Sequence, residues 1–210
     1  MKIIIFGATG GTGRHLVEQA LGEGHAVTAF VRSPEKLEVS HENLRVIQGD
    51  ALAYASVESA IQGHDAVICA LGIPNIRDKS KLRAYATKNI VEAMKATGVE
   101  RLICLSSFGA GDSFETLPFR YKYFIAPLVM RNLFVDHNLQ EGYIMESQLS
   151  WTIVRPVNMT DGERTDKYQH GFSSENKMVV YKISRADTAG FMLKQLEDDA
   201  YLGKAPSLSY

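Results

Sequence analysis

Three glycines, Gly7, Gly10 and Gly13, stand three residues apart between a β-branched run, KIIIF, and a stretch of helical spacing, RHLVEQALGEG. Few local patterns restrict a fold more. One glycine meets the tight turn from strand to helix, a second lets backbone approach a pyrophosphate, and a third lets the helix pack close against the strand. Exposed N–H groups at the helix start then receive phosphates, and the hydroxyls of Thr9 and Thr12 add donors. Glycine spacing alone is weak evidence, but here strand and helix flank it as the motif requires. The next run, HAVTAFV, completes a strand, glycine turn, helix, strand unit, with Gly24 as the stop of the helix.

The alternation continues through LRVIQG, a helix over ALAYASVESAIQG, the run DAVICAL, a helix from about 80 to 97, and RLICLSS. Continuous apolar runs of this kind are parallel strands covered on both faces by crossover helices. The pattern predicts an α/β, Rossmann-like three-layer fold with a mostly parallel central sheet and a small C-terminal substrate lobe. After Ser107 the alternation breaks. A mixed stretch is followed by a helix over about 126–147, the strand WTIVRP, a long polar excursion, the strand MVVYKI and a helix over 184–196 with Asp187 in its first turn. No low-complexity linker appears, so residues 1–210 read as one domain, with 109–135 and 158–182 as lid segments on the substrate side.

Charge narrows the partners. The 210 residues carry 23 Lys and Arg against 24 Asp and Glu, a formal net charge of -1, so no global field favours nucleic acid or an anionic membrane. Cys69 and Cys104 lie in apolar runs and read as buried thiols in a reducing, cytoplasmic setting. The opening MKIIIFGATG enters a strand at once, unlike a signal or transit peptide, and no run reaches the roughly 18 apolar residues of a membrane span. No histidine pairs with Cys, Asp or Glu at ligand spacing, so no metal site is expected, and His137 is read as facing solvent.

The end of the second strand selects the dinucleotide. An acidic residue about 20 positions past the glycines normally accepts from the adenosine ribose. This chain has Arg32 there, with Lys36 nearby, and such cations suit a 2'-phosphate, so NADP (NADPH) is preferred over NAD. Asp50, after the third strand, is placed to accept from the adenine amino group. The small residues of CALG, ending at Leu71 and Gly72, let backbone approach the cofactor where such sheets bind ligands.

GATGGTG, VR, GD, ALG, LSS and WTIVRP together resemble the atypical, short members of the extended short-chain dehydrogenase/reductase superfamily that share an NAD(P)H-binding domain. Within it the likeness is to the biliverdin reductase B, or flavin reductase (NADPH), type, and it extends through KNIVEAMKATGVERLI and ISRADTAGFMLKQL. The resemblance implies that Gly7, Thr9, Gly10, Gly11, Thr12 and Gly13 cradle the pyrophosphate and that Arg32 binds the 2'-phosphate. It puts Asp50 at the adenine, Leu71 and Gly72 beside the cofactor, and Ser106 and Ser107 beside the nicotinamide. Pro156, Val157 and Asn158 would pass the carboxamide side of the ring, and Ser107 and Asn158 are the catalytic candidates. A monomer is expected by the same analogy.

The sequence departs from the superfamily at its proton donor. A tyrosine with a lysine four residues on is typical, but four positions after Tyr121, Tyr123 and Tyr143 stand Ile125, Pro127 and Ser147. Asn158 replaces the histidine that follows paired prolines in the biliverdin reductase B type, and Val157 the second proline. An amide cannot supply a proton near neutral pH. The reaction that tolerates this is hydride transfer from NADPH to a conjugated acceptor, a flavin, biliverdin-like tetrapyrrole or quinone, which delocalises incoming charge and takes its proton from water. The alternative is a non-catalytic NADP(H)-binding redox sensor. Rings for the acceptor would come from Phe108, Phe114, Phe119, Tyr121, Tyr123 and Phe124, with Arg120 and Lys122 between them.

Overall fold

The computed structural model describes residues 1–73, 75, 78–172 and 180–210. Strand β1 is Lys2–Phe6, followed by helix α1 (Gly11–Gly22), β2 (Ala26–Val31), β3 (Leu44–Gln48), α2 (Tyr54–Ile61), β4 (Ala66–Cys69), α3 (Leu82–Thr97) and β5 (Arg101–Leu105). The second half contains a helical turn α4 (Ala126–Leu128), α5 (Arg131–Met145), β6 (Ser150–Pro156), β7 (Met159–Thr160), β8 (Gln169–His170), β9 (Ile183–Ser184), α6 (Arg185–Lys194) and β10 (Ser207–Ser209). The main sheet runs β3-β2-β1-β4-β5-β6-β10-β8, and β7 pairs with β9. Every pairing is parallel except that of β8 with β10. This is the three-layer, largely parallel α/β fold with a smaller C-terminal lobe.

The alternation within β1 builds both layers. Ile3 and Ile5 face one core with Leu16, Val17 and Ala20 of α1 and Phe191 and Leu193 of α6. Ile4 and Phe6 face the other, with Val57 and Ile61 of α2 and Ile90 and Met94 of α3. Successive strand residues point to opposite faces, so β1 serves two helical layers because its last four residues are all apolar and buried. The order of strands reverses direction between β1 and β4, and the crevice at their carboxyl ends is where such sheets receive ligands.

The C-terminal lobe is tied down at Asp187. Ser184 caps α6 by accepting from the Asp187 amide. The Asp187 carboxylate accepts from the backbone of Thr165 at 2.8 Å and Asp166 at 2.7 Å, and from the Tyr210 hydroxyl at 2.7 Å. Burial raises the pKa of this carboxyl, but the hydrogen bonds outweigh it and hold it below the ordinary value.

Two elements differ from the sequence expectation. The single helix over 126–147 is divided into α4 and α5, preceded by a wide π-helical turn, Tyr121–Ile125, in which the Ala126 amide reaches back to the Tyr121 carbonyl. Pro127 has no N–H to continue the ladder, so the backbone there widens and then restarts. The run MVVYKI is not a continuous strand: Met178 and Val179 lie outside the described residues, and only Ile183 with Ser184 pairs as β9. The Val180 amide donates instead to the Tyr210 carbonyl, and the Tyr210 amide to that of Lys182, so the chain end laces this segment. The short strand β10, which the apolar pattern did not announce, sits between β6 and β8.

Candidate functional site

The glycine turn is held by contacts that forbid a side chain. Gly7 has φ +83°, and a Cβ there would lie 2.4 Å from the Ala70 carbonyl oxygen at the end of β4. A Cβ on Gly13 would lie 2.0 Å from the Gly7 carbonyl oxygen. The first glycine therefore meets both the turn and the neighbouring strand, and the third brings the first turn of α1 onto the strand end. The Gly10 amide donates to the Gly7 carbonyl at 2.9 Å and closes the turn. Its helix start carries no acidic residue that would repel an anion. The cradle thus fits a pyrophosphate by shape and by polarity.

From this turn a cavity of about 1160 Å³ extends along the carboxyl ends of the strands. Drug-sized pockets hold roughly 300–1000 Å³, so this one has room for more than a dinucleotide's reactive end. Of the expected cofactor residues, Gly7, Thr9, Gly10, Gly11, Thr12, Arg32, Lys36, Asp50, Leu71, Gly72, Ser106, Ser107, Pro156, Val157 and Asn158 all line it. Gly13 stands behind the wall as a packing residue.

Several of these make bonds the sequence does not announce. The buried Thr12 hydroxyl points to the Met159 sulfur at 3.5 Å, away from a role as a ready phosphate donor. Asp50 accepts from the Leu52 amide at 2.9 Å, so it shapes its own turn while facing the cavity. Arg14 donates to the Lys36 carbonyl at 3.1 Å and braces the loop that bears the two cations. Gly72 has open space around its missing side chain.

The two serines after β5 part company. Ser107 is half-buried in the cavity wall and donates to the Phe108 carbonyl at 3.2 Å. Ser106 is buried and belongs to a polar network carried by α5 and β6. Its hydroxyl donates to Glu141 Oε1 at 2.6 Å, and the Glu141 carboxylate receives Arg155 Nε at 2.9 Å and Nη2 at 2.6 Å. Arg155 also reaches Asp112 at 2.6 Å. Burial lowers the affinity of the Arg155 guanidinium for its proton, but the paired carboxylates outweigh it and the pKa is raised.

His137 is where the expectation of a solvent-facing histidine fails. It is 6% exposed and lies on the cavity wall. One residue earlier on α5, Asp136 turns to Arg83, bonded at 3.1 Å, so the adjacent pair faces different partners. Burial, and then the Arg83 charge, push the His137 pKa down to about 3. The i, i+4 spacing of His137 and Glu141 places both on the helix face toward Ser106; that spacing was the available signal, obscured by the polar look of the segment DHNLQ. Arg185 was also missed: it lines the cavity beside Gly11, where a Cβ would meet its side chain at 2.6 Å, and it pairs with Asp161.

The apolar part of the cavity wall comes from segments far apart in sequence. Leu117, Pro118, Tyr121, Ile125 and Val129 come from the first expected lid, and Asn158, Met159, Tyr181 and Lys182 from the second. Phe108 packs on Phe172 and Tyr181 at centroid distances of 5.9 and 6.0 Å. Phe119, Tyr123 and Phe124 instead cluster with one another on the outside, and Lys122 pairs with Glu115. The wide turn at Tyr121–Ile125 sets this division, presenting Tyr121 and Ile125 inward.

A family described as NAD(P)H-binding matches residues 7–199. An uncharacterised chloroplastic protein of Arabidopsis thaliana is 34% identical over 172 residues, covering 78% of this chain and 61% of that protein. The chain therefore spans less than two thirds of that relative. Among solved structures, the anaerobilin reductase ChuY of Escherichia coli superposes with a TM-score of 0.81 at 25% identity, covering 100% of this chain and 97% of that one. The oxidoreductase ylbE of Lactococcus lactis superposes with a TM-score of 0.85 at 20% identity, over 100% and 90% of the two chains.

Proposed function

Because the chain belongs to the NAD(P)H-binding family, with a fold related to the biliverdin reductase B-like short-chain dehydrogenase/reductases, we propose that it is an NADPH-dependent reductase. Its acceptor is a conjugated molecule, a flavin, a biliverdin-like tetrapyrrole or a quinone, and it works in a reducing cytosol. The observation that carries the reading is that one cavity joins the glycine cradle to an apolar wall, with Ser106 and Ser107 between them.

The residues divide the work by their chemistry. Gly7, Gly10 and the start of α1 hold the pyrophosphate, and Arg32 with Lys36 receives a 2'-phosphate through charge-assisted bonds. Pro156, Val157 and Asn158 border the carboxamide side. When bound, NADPH supplies the hydride, leaving as NADP+, and the acceptor takes that electron pair and a proton from water. Tyr121, Ile125, Val129 and Phe108 press a flat acceptor toward the nicotinamide side and exclude water from it. Ser107, with its hydroxyl on the wall, orients the acceptor. No group in the wall is called on as a strong acid, which agrees with a neutral His137 and an amide at Asn158.

The test is NADPH oxidation followed at the nicotinamide absorbance under low oxygen, with FMN, riboflavin, biliverdin and a small quinone in parallel and NADH as control. Turnover of one acceptor, faster with NADPH, is expected. Tight NADPH binding with no turnover on any of them would instead make the protein a redox sensor.

A further inference from the structure

The hydrogen bonds around His137 determine which of its ring nitrogens carries the proton. Gln140 spends its amide N–H groups on the Thr87 hydroxyl at 3.1 Å and the Cys104 sulfur at 3.2 Å. Its carbonyl, 3.0 Å from His137 Nδ1, must therefore accept. Ser106 spends its proton on Glu141, so the Ser106 oxygen, 3.3 Å from the same Nδ1, accepts as well. Both partners require a proton on Nδ1. The neutral ring then carries a bare lone pair on Nε2, for which no described residue supplies a donor. The one buried side-chain polar atom left without a partner among the described residues is Gln195 Oε1, so Nε2 is not sealed inside the protein, and the ring's open side is the cavity.

Arg83 lines the same wall and offers only donors; its guanidinium is anchored to Asp136 at 3.1 Å. An acceptor nitrogen and a donor cation on one cavity wall, near enough for the Arg83 charge to act on the His137 ring, match an edge on which an N–H adjoins a carbonyl. We propose that His137 and Arg83 are specificity-determining residues that read a lactam or imide edge, with His137 Nε2 accepting from its N–H and Arg83 donating to its carbonyl. Oxidised flavins carry such an edge at N3–H, and the terminal rings of linear tetrapyrroles carry it as lactams. Quinones present carbonyls only and leave Nε2 unmatched, as a buried acceptor facing no donor. The inference rests on the reductase reading for its substrates, and it selects among them.

The test uses binding, so that a failure of turnover does not enter it. Lumiflavin has a single N–H, and 3-methyllumiflavin has none. Quenching of flavin fluorescence is titrated with the NADP+-loaded protein. The expected result is lumiflavin binding at least about tenfold tighter than its methyl analogue, the equivalent of one well-made hydrogen bond. In His137→Phe, shown to retain NADP+ binding, the ratio should fall to about one. Equal affinity for the two flavins in the unaltered protein, binding of neither, or an unchanged ratio in His137→Phe would overturn the assignment. The unaltered protein alone decides the matter if the variant does not fold.

Discussion

The cavity has two ends built on different principles. The nucleotide end is made by backbone within one short stretch, where Gly7 and Gly13 leave no room for a Cβ, at 2.4 and 2.0 Å from neighbouring carbonyl oxygens. The proposed acceptor end is made by side chains drawn from β5, the turn before α4, α5, β6 and the segment before β9. A backbone site has almost no substitutes and is written in glycine. A side-chain site can be assembled from many residue types, provided that the topology brings them together.

Gly13 is the position at the nucleotide end where a substitution costs most. Gly13→Val should abolish measurable NADPH binding and lower the melting temperature, because the helix start must leave the strand. Gly22→Ala, in the exposed last turn of the same helix where a Cβ meets nothing within 4 Å, should lower neither. A fluorescence titration of both variants decides whether the turn is as intolerant as its contacts imply. Next in size is Glu141→Ala, which leaves the buried Arg155 guanidinium without its two-bond partner. A loss of about 3–5 kcal/mol in urea unfolding is expected for such an uncompensated charge. Little change would mean that water or Asp112 replaces the carboxylate.

Arg32→Ala bears on the nucleotide end alone. It should weaken NADPH binding by about 10–100-fold, the equivalent of roughly 1.5–3 kcal/mol for hydrogen bonds to a charged group, and leave NADH unchanged. Equal weakening of both nucleotides would place the 2'-phosphate elsewhere.

At the acceptor end, His137 gives a pH signature. Its pKa is lowered from the ordinary 6.5 to about 3 in the folded protein, so the unfolded chain binds the proton first as pH falls. The stability that comes from keeping the ring neutral is complete above pH 6.5 and is lost progressively down to about 3. In His137→Phe the decline of unfolding free energy between pH 7 and 5 should be shallower by about 2 kcal/mol. An unchanged slope would mean that the ring is protonated when folded. The smallest effect is expected outside the cavity, where Phe124→Ser, at a 57% exposed ring, should shift stability by no more than about 0.5 kcal/mol.

The same contrast explains what could be read from the sequence. Runs such as KIIIF and RLICL announce buried parallel strands because both faces of each must be apolar, and the glycine spacing announces the cradle because the geometry allows nothing else. Arg32, Asp50 and Ser106 could be placed on the cavity wall from the sequence because they follow strands at the end of the sheet where ligands collect. His137 and Arg185 could not, since their neighbours in space, Ser106 and Gly11, are far away in sequence. The break between α4 and α5 escaped because a proline early in an apolar helical pattern is tolerated when it falls in a first turn. Strand β10 is too short for periodicity to mark; its place depends on pairing with β6.

A crystal structure of the protein with NADP+ and a bound acceptor decides whether one cavity serves both ligands. The pyrophosphate is expected against Gly10 and the start of α1, the 2'-phosphate at Arg32, and the nicotinamide beside Ser107, stacked on an acceptor that lies under Tyr121 and meets the Ser107 hydroxyl. A nucleotide bound with its nicotinamide away from β5, or an acceptor held outside this cavity, would contradict that arrangement.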